Sequence, residues 1–143
     1  MNGPDELVDH HRIRTEIFVR EQGIFAVSDV DDHDTDPATI HLLGLVDGVA
    51  AGAVRLYPLL DAAVAGLWKG DRLAVLPAYR TAGIGRPLVR LAVATAGAHG
   101  GTRMIAQVQL NNTRYFRSLG WAPDGPPADY LGVPHQQMTI ALR

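Results

Sequence analysis

The residues of this 143-residue chain best placed to do chemistry are Arg80-Thr81-Ala82-Gly83-Ile84-Gly85. Two glycines let the backbone approach a ligand closely. Before them, the apolar run Leu73-Ala74-Val75-Leu76, stopped by Pro77, reads as a buried strand. After them, Ile84, Leu88, Leu91 and Thr95 recur at i, i+4, i+7 and i+11, which predicts one face of a helix running to about His99. A strand-to-helix turn of this kind presents unpaired N–H groups and the positive end of the helix dipole, a place for a phosphate or pyrophosphate. It is not a P-loop, because Gly85 is followed by Arg86-Pro87 and not by Lys-Ser/Thr. Nor is it the dinucleotide fingerprint, because Leu88 stands where a third glycine or alanine is needed. The alternative is a turn eased by glycine that binds nothing.

A second concentration of functional groups is acidic: Asp29, Asp31, Asp32, Asp34 and Asp36, with His33 among them. It fails the EF-hand pattern, since counting from Asp29 the fifth position is His33 and the sixth is Asp34, where glycine is required. Two readings remain. The segment is a solvated loop, or its carboxylates line the mouth of a site and draw in a cationic amine.

These groups need a scaffold, and the pattern supplies one. Residues 5–20 read as a helix with Asp5-Glu6 in its first turn. Residues 39–46 and 49–57 are two apolar runs separated by Asp47-Gly48, a strong hairpin signal. His41 on the first run reads as a structural histidine. Residues 59–70, with Trp68, read as a loop. Gly100-Gly101 end the helix. Residues 103–109 form a strand with Ala106 and Val108 on one face and Ile105, Gln107 and Gln109 on the other. Strand, helix and strand then make a right-handed unit with parallel strands. Asn111 or Asn112 caps a short helix stopped by Gly120. Residues 123–127 are rich in turn signals, and residues 130–142 give the last strand.

Composition sets outer limits. A length of 143 residues suits a single domain over 1–143 with a substantial core. An apolar fraction of 47% with 20% charged residues is that of an ordinary globular chain, without a membrane span. The first residues lack the basic and apolar regions of a signal peptide, so a cytoplasmic location is the expectation. With no cysteine, there is no disulfide framework and no thiol nucleophile. A net charge of −2 gives no electrostatic ground for a nucleic-acid partner.

Four separated stretches resemble one family in order. Arg80, Gly83 and Gly85 match the acyl-CoA loop Gln/Arg-x-x-Gly-x-Gly/Ala of the GNAT superfamily of N-acetyltransferases, and Leu73 to Arg80 is similar to its lead-in. Residues 13–23 resemble the Arg-x-x-Val-Phe-Val-x-Glu-Gln segment of the ElaA-like branch, with Ile17 for the valine. Tyr115, Phe116, Leu119, Gly120 and Trp121 resemble the superfamily's Phe-Tyr-x-x-Leu-Gly-Phe, with aromatic exchanges. Gly132-Val133-Pro134-His135-x-x-Met138 resembles an ElaA-like ending.

The resemblance implies an α/β (α+β) fold: a mixed, mostly antiparallel sheet flanked by helices, with a central parallel strand pair. The family's opening strand has too few residues here, so that edge strand is absent or comes from a partner, which makes a homodimer plausible. The implied activity is transfer of an acetyl or other acyl group from acetyl-CoA to a primary amine of a small molecule, with no metal. The backbone of Thr81, Ala82, Gly83, Ile84, Gly85 and Arg86, with Arg80, would hold the pyrophosphate. Ala74 and Val75 would pair with the pantetheine arm, and Asn111 and Phe116 would border it. Glu21, Asp71 and His135 are candidates for the base. The family's usual tyrosine acid is replaced by Phe116, and Tyr115 beside it points about 100° away. A non-catalytic acyl-CoA binding module is therefore the alternative, and a nucleotide module unrelated to coenzyme A is a third.

Overall fold

Asp47 and Gly48 build the first hairpin by taking left-handed φ angles of 50° and 79°, as a two-residue turn matched to strand twist requires. In the computed structural model, which describes residues 4–23, 25, 28–60, 65–130 and 132–142, this turn joins β1 (Ile40–Val46) to β2 (Val49–Pro58). β3 (Leu67–Val75) runs antiparallel to β2, and β4 (Arg103–Gln109) runs parallel to β3. β7 (Val133–Ala141) is antiparallel to β4, and the short β5 (Ala122–Pro123) and β6 (Ala128–Tyr130) both pair with β7. The order is β1-β2-β3-β4-β7-β5, with β6 on β7. This is the mixed, mostly antiparallel sheet with a central parallel pair that the resemblance implies.

The first helix is α1 (Pro4–Arg14), which continues as a π-helical turn over Thr15–Glu21. α2 (Gly85–Ala98) links the parallel strands, and α3 (Thr113–Ser118) follows a 3₁₀ turn at Leu110–Asn112. Asn112 stands at the N-cap of α3, but its side chain makes no capping bond. The sheet is covered on both faces, so β2 is buried nearly throughout. One core joins Leu56, Leu88, Met104, Val108, Phe116 and Met138, and a smaller one joins Ile13, Ile17, Ala50, Ala53 and Ala74. The expected lack of an opening strand falls largely on residues 1–3, outside the described residues. Among the described residues, β1 pairs only with β2.

Three expectations need correction. Trp68 lies in β3 and not in a loop, and it is 6% exposed. The strand start is hidden in the sequence because Gly70 and Arg72 occupy buried positions of the alternation, where large apolar residues are expected. The buried face of α2 is Leu88, Val89, Ala92 and Ala96, while Leu91 is exposed. Small residues there let the helix sit close to the sheet. A Cβ added at Gly52 would lie 2.9 Å from side-chain carbons of both Ile84 and Leu88. Finally, the last strand begins at Val133, because residues 128–130 form a separate strand folded back on it.

Candidate functional site

β3 and β4 begin as neighbours and then part. Their pairing covers Leu67–Lys69 against Arg103–Ile105 and goes no further. Beyond Lys69, β3 keeps β2 on one side and has no strand on the other among the described residues. A bulge accompanies the separation. Ala53 faces Ala74 and Arg55 faces Asp71, so two steps along β2 span three along β3. Within it, Arg72 holds a left-handed φ of 54°, a strained conformation for a side chain of this size.

Between the parted strands lies a cavity of about 150 Å³. Asp71, Arg72 and Leu73 of β3, and Ala106, Gln107, Val108 and Gln109 of β4, form its walls. Phe18, Gln22 and Phe25 close one side; Val89, Ala92, Phe116 and Trp121 close the other. His135, opposite Gln109 on β7, completes it. Gln22, Phe18 and Phe25 are not among the site residues expected from the sequence, although Phe18 and Gln22 lie within the matched stretch 13–23. The face assigned to Gln107 and Gln109 by strand alternation was the signal that could have found those two.

The glycine loop follows directly from β3. Leu76 N donates to the Ala51 carbonyl at 2.8 Å, and residues Pro77–Ala82 form a 3₁₀ turn. Gly83 ends that turn with a φ of 75°, and Gly85 opens α2. Thr81, Ala82 and Gly83 are exposed, and Ile84, Gly85 and Arg86 are partly so. Arg80 points back toward the sheet. Its Nε donates to the Val75 carbonyl at 3.2 Å, and its Nη2 donates to the Glu21 carboxylate.

Of the four residues expected to handle protons, two border the cavity: Asp71 and His135. Asp71 is engaged, its two oxygens accepting from Arg55 Nε at 2.8 Å and Nη2 at 2.7 Å. Glu21 is held by Arg80. His135 is buried, and its Nδ1 lies 2.7 Å from the Val133 carbonyl. A carbonyl only accepts, so Nδ1 carries a hydrogen. Tyr115 is elsewhere: its hydroxyl sits 3.3 Å from where a Cβ on Gly85 would be, and Arg86 lies over its ring. Asn112, and not Asn111, reaches the cavity.

The acidic segment departs from both readings at Asp29 and Asp34, while Asp32 and Asp36 are exposed as in a solvated loop. Asp29 and Asp34 are buried among arginines from three distant elements. Arg14 donates to Asp29 at 2.7 Å and to Asp34 at 2.6 Å. Arg55 donates to Asp31 at 2.6 Å and to Asp34 at 3.0 Å, besides its two bonds to Asp71. Arg72, from the bulge, reaches the Asp29 carbonyl at 3.1 Å and Asp31 at 3.3 Å. His41, read as structural, lies 3.1 Å from Asp34. Burial would raise the Asp34 carboxyl, but the bonds from His41 and Arg14 hold it well below the usual carboxylate range. Burial is likewise overcome at Arg55, whose contacts with Asp71 and Asp31 push its pKa up. These carboxylates therefore anchor the bulge and α1; they do not line an open mouth.

Comparison with known proteins gives a consistent picture. The family model described as the acetyltransferase (GNAT) family matches residues 7–121. The uncharacterized N-acetyltransferase YjcF of Bacillus subtilis is 26% identical over 136 residues, covering 94% of this chain and 91% of that protein. An acyl-CoA N-acyltransferase of Pseudomonas aeruginosa superposes with a TM-score of 0.83 at 25% identity, over 96% of this chain and 92% of that one. ElaA of Escherichia coli superposes with a TM-score of 0.84 at 22% identity, over 96% and 91%, a likeness of fold. With the parted strands, the glycine loop and a family match over most of its length, the chain belongs to the GNAT family of acetyltransferases.

Proposed function

We propose that this chain transfers an acyl group, acetyl foremost, from coenzyme A to a primary amine of a small molecule, the amine attacking while both substrates are bound. The observation that carries this reading is the gap between β3 and β4, with a glycine loop at the end of one strand and His135 in the wall. The names of YjcF and of the Pseudomonas protein support N-acyl transfer, the latter from an acyl-CoA.

The residues present fit coenzyme A. Strand β3 has a backbone edge without a strand partner beyond Lys69 among the described residues, which suits an arm carrying amide groups. Ala74 and Val75 would pair with that arm, and a Val75 N–H would polarise the thioester carbonyl. The N–H groups of residues 81–86 would hold the pyrophosphate, where Gly83 and Gly85 keep side chains out of the way. Pro87 withholds one further donor. When bound, coenzyme A supplies the activated acyl carbon and a thiol leaving group.

His135 is the base in this reading. An alkyl ammonium of pKa near ~10 must lose a proton before it attacks, and an imidazole is a common general base for such a proton. Asp71 and Glu21 are each engaged by an arginine, whereas His135 stands in the cavity wall with its Nδ1 on the Val133 carbonyl. Phe116 cannot protonate the departing sulfur. A thiol titrates near ~8.5, so its thiolate leaves tolerably without a donor.

The test is release of free thiol from acetyl-CoA across a panel of primary amines, with His135→Gln beside the wild type. The expected result is amine-dependent release, with kcat reduced about 10²- to 10⁴-fold in the variant. An unchanged kcat would remove His135 from the mechanism. Tight acetyl-CoA binding with no amine turned over would favour a non-catalytic acyl-CoA module, the reading that Phe116 supports.

A further inference from the structure

The cleft has two lips that backbone pairing does not tie together. One is the end of β3 with the glycine loop; the other is the end of β4, where Gln109 faces His135 of β7. Two consecutive residues at the end of the π-helical turn reach both. Glu21 accepts from Arg80 Nη2 on the first lip, and Gln22 Oε1 accepts from Gln109 Nε2 at 2.8 Å on the second. The arginine passes the contact on, because its Nε also holds the Val75 carbonyl.

We propose that Glu21 and Gln22 are positioning residues: a two-point clamp across the cleft that sets the spacing between the Val75 peptide and the strand pair carrying His135. The inference rests on the reading of the cleft as an acyl-CoA site.

The base of the clamp is rigid. Ile13 and Ile17 pack in the smaller core, and Arg14, just before the π-helical turn, is fixed by Asp29 and Asp34. The turn closes with Gln22 N donating to the Ile17 carbonyl at 2.8 Å, the wider spacing of a π-helix. A π-turn shifts the residues after it around the helix axis relative to a regular helix, which re-aims side chains. Here it sends Glu21 and Gln22 to opposite lips. The contacts themselves are light. Glu21 and Arg80 side chains are 35% and 48% exposed, so the pair fixes geometry and contributes little to global stability. The direct role considered for Glu21 as a base is thereby replaced by an indirect one, through Arg80.

The test joins a readout on the free protein to one on turnover. In amide hydrogen exchange without ligand, Glu21→Ala speeds exchange in residues 76–82, and Gln22→Ala speeds it in residues 109–112. In turnover, Glu21→Ala and Arg80→Ala each lower kcat roughly 10- to 100-fold, and the double variant is no worse than either single one. Glu21→Gln keeps an acceptor oxygen and recovers part of the rate. The pH midpoint of kcat/KM stays that of the wild type throughout. Unchanged exchange, effects that multiply in the double variant, or a shifted pH midpoint in Glu21→Gln would overturn the clamp. Faster exchange in a protein that binds no coenzyme A by calorimetry would instead remove the acyl-CoA reading, and with it the positioning role. Normal coenzyme A binding with unchanged kcat in Glu21→Ala would defeat the clamp alone.

Discussion

Halfway along β3, Asp71 and Arg72 join a cluster in which the Arg14 and Arg55 side chains are fully buried and bond to Asp29, Asp34 and Asp71 at 2.7, 2.6 and 2.7 Å. A few residues further on, the same strand runs into an exposed glycine loop, with no strand on its β4 side among the described residues. The two regions share a strand but divide the work. In the cluster, each charge is answered by partners from α1, the acidic segment, β2 and β3, so the bulge cannot relax. In the cleft and loop, the β3 edge beyond Lys69 has no strand partner on its β4 side among the described residues, and the glycine loop is exposed. A strained, well-held turn beside an open edge is how a sheet keeps a gap without collapsing into it. It follows that carboxylate density by itself does not mark the reacting site: Asp29, Asp31, Asp34 and Asp71 hold arginines of the scaffold.

Breaking the cluster should therefore harm stability, and breaking the cleft should harm chemistry. The largest effect on stability is expected from Asp34→Asn. It leaves two buried guanidinium groups short of a charged partner and should cost about 3–5 kcal/mol in denaturant unfolding. Typical domains have only about 5–15 kcal/mol in total. A cost below about 1 kcal/mol would erase the contrast. Arg80→Ala, on the cleft side, gives the reference value for a partly exposed pair, at most about 1 kcal/mol.

Acid should separate the regions further. Burial pushes the His10 imidazole down to about 3, and the ring sits on the Val54 carbonyl through Nε2 with Nδ1 buried and unpartnered. Below about pH 6.5 the unfolded chain takes up a proton there and the folded one does not. Stability is thus present above that value and lost as pH falls, by about 1.4 kcal/mol at pH 5.5 from this group. Asp34 and Asp31, held low by their partners, add a second loss as pH falls below about 4. Thermal unfolding between pH 7.5 and 5 should show the first slope in the wild type and a flatter one in His10→Gln, which keeps a donor for Val54. Equal slopes would dismiss His10 as the source.

The two regions also differed in how far the sequence revealed them. The glycine loop, the Asp47-Gly48 hairpin and the parallel unit around α2 are local, written in φ-permissive residues and short-range periodicity. The cluster is not. Arg14, Arg55 and Arg72 lie 15 to 43 residues from the groups of Asp29 and Asp34 that they meet, and no spacing rule announces such partners. The β3 start at Leu67 was concealed for a related reason, since Gly70 and Arg72 stand at buried positions where a regular alternation shows large apolar residues. On α2, residue size misled: Leu91 looked like core, while Ala92 and Ala96 lie against the glycine-bearing strands. At the cleft, motif spacing pointed to Glu21, Asp71 and His135 together. Which of them an arginine already holds is a tertiary fact.

The acyl-CoA reading meets its most direct test in thermal unfolding with acetyl-CoA, coenzyme A, ATP or NAD added separately. Acetyl-CoA and coenzyme A at 100 times their dissociation constants should each stabilise the fold by about 2.7 kcal/mol, with ATP and NAD giving no comparable rise. No shift with either coenzyme, or an equal shift with ATP, would contradict it and leave the loop after β3 as a turn or as the site of another phosphate ligand.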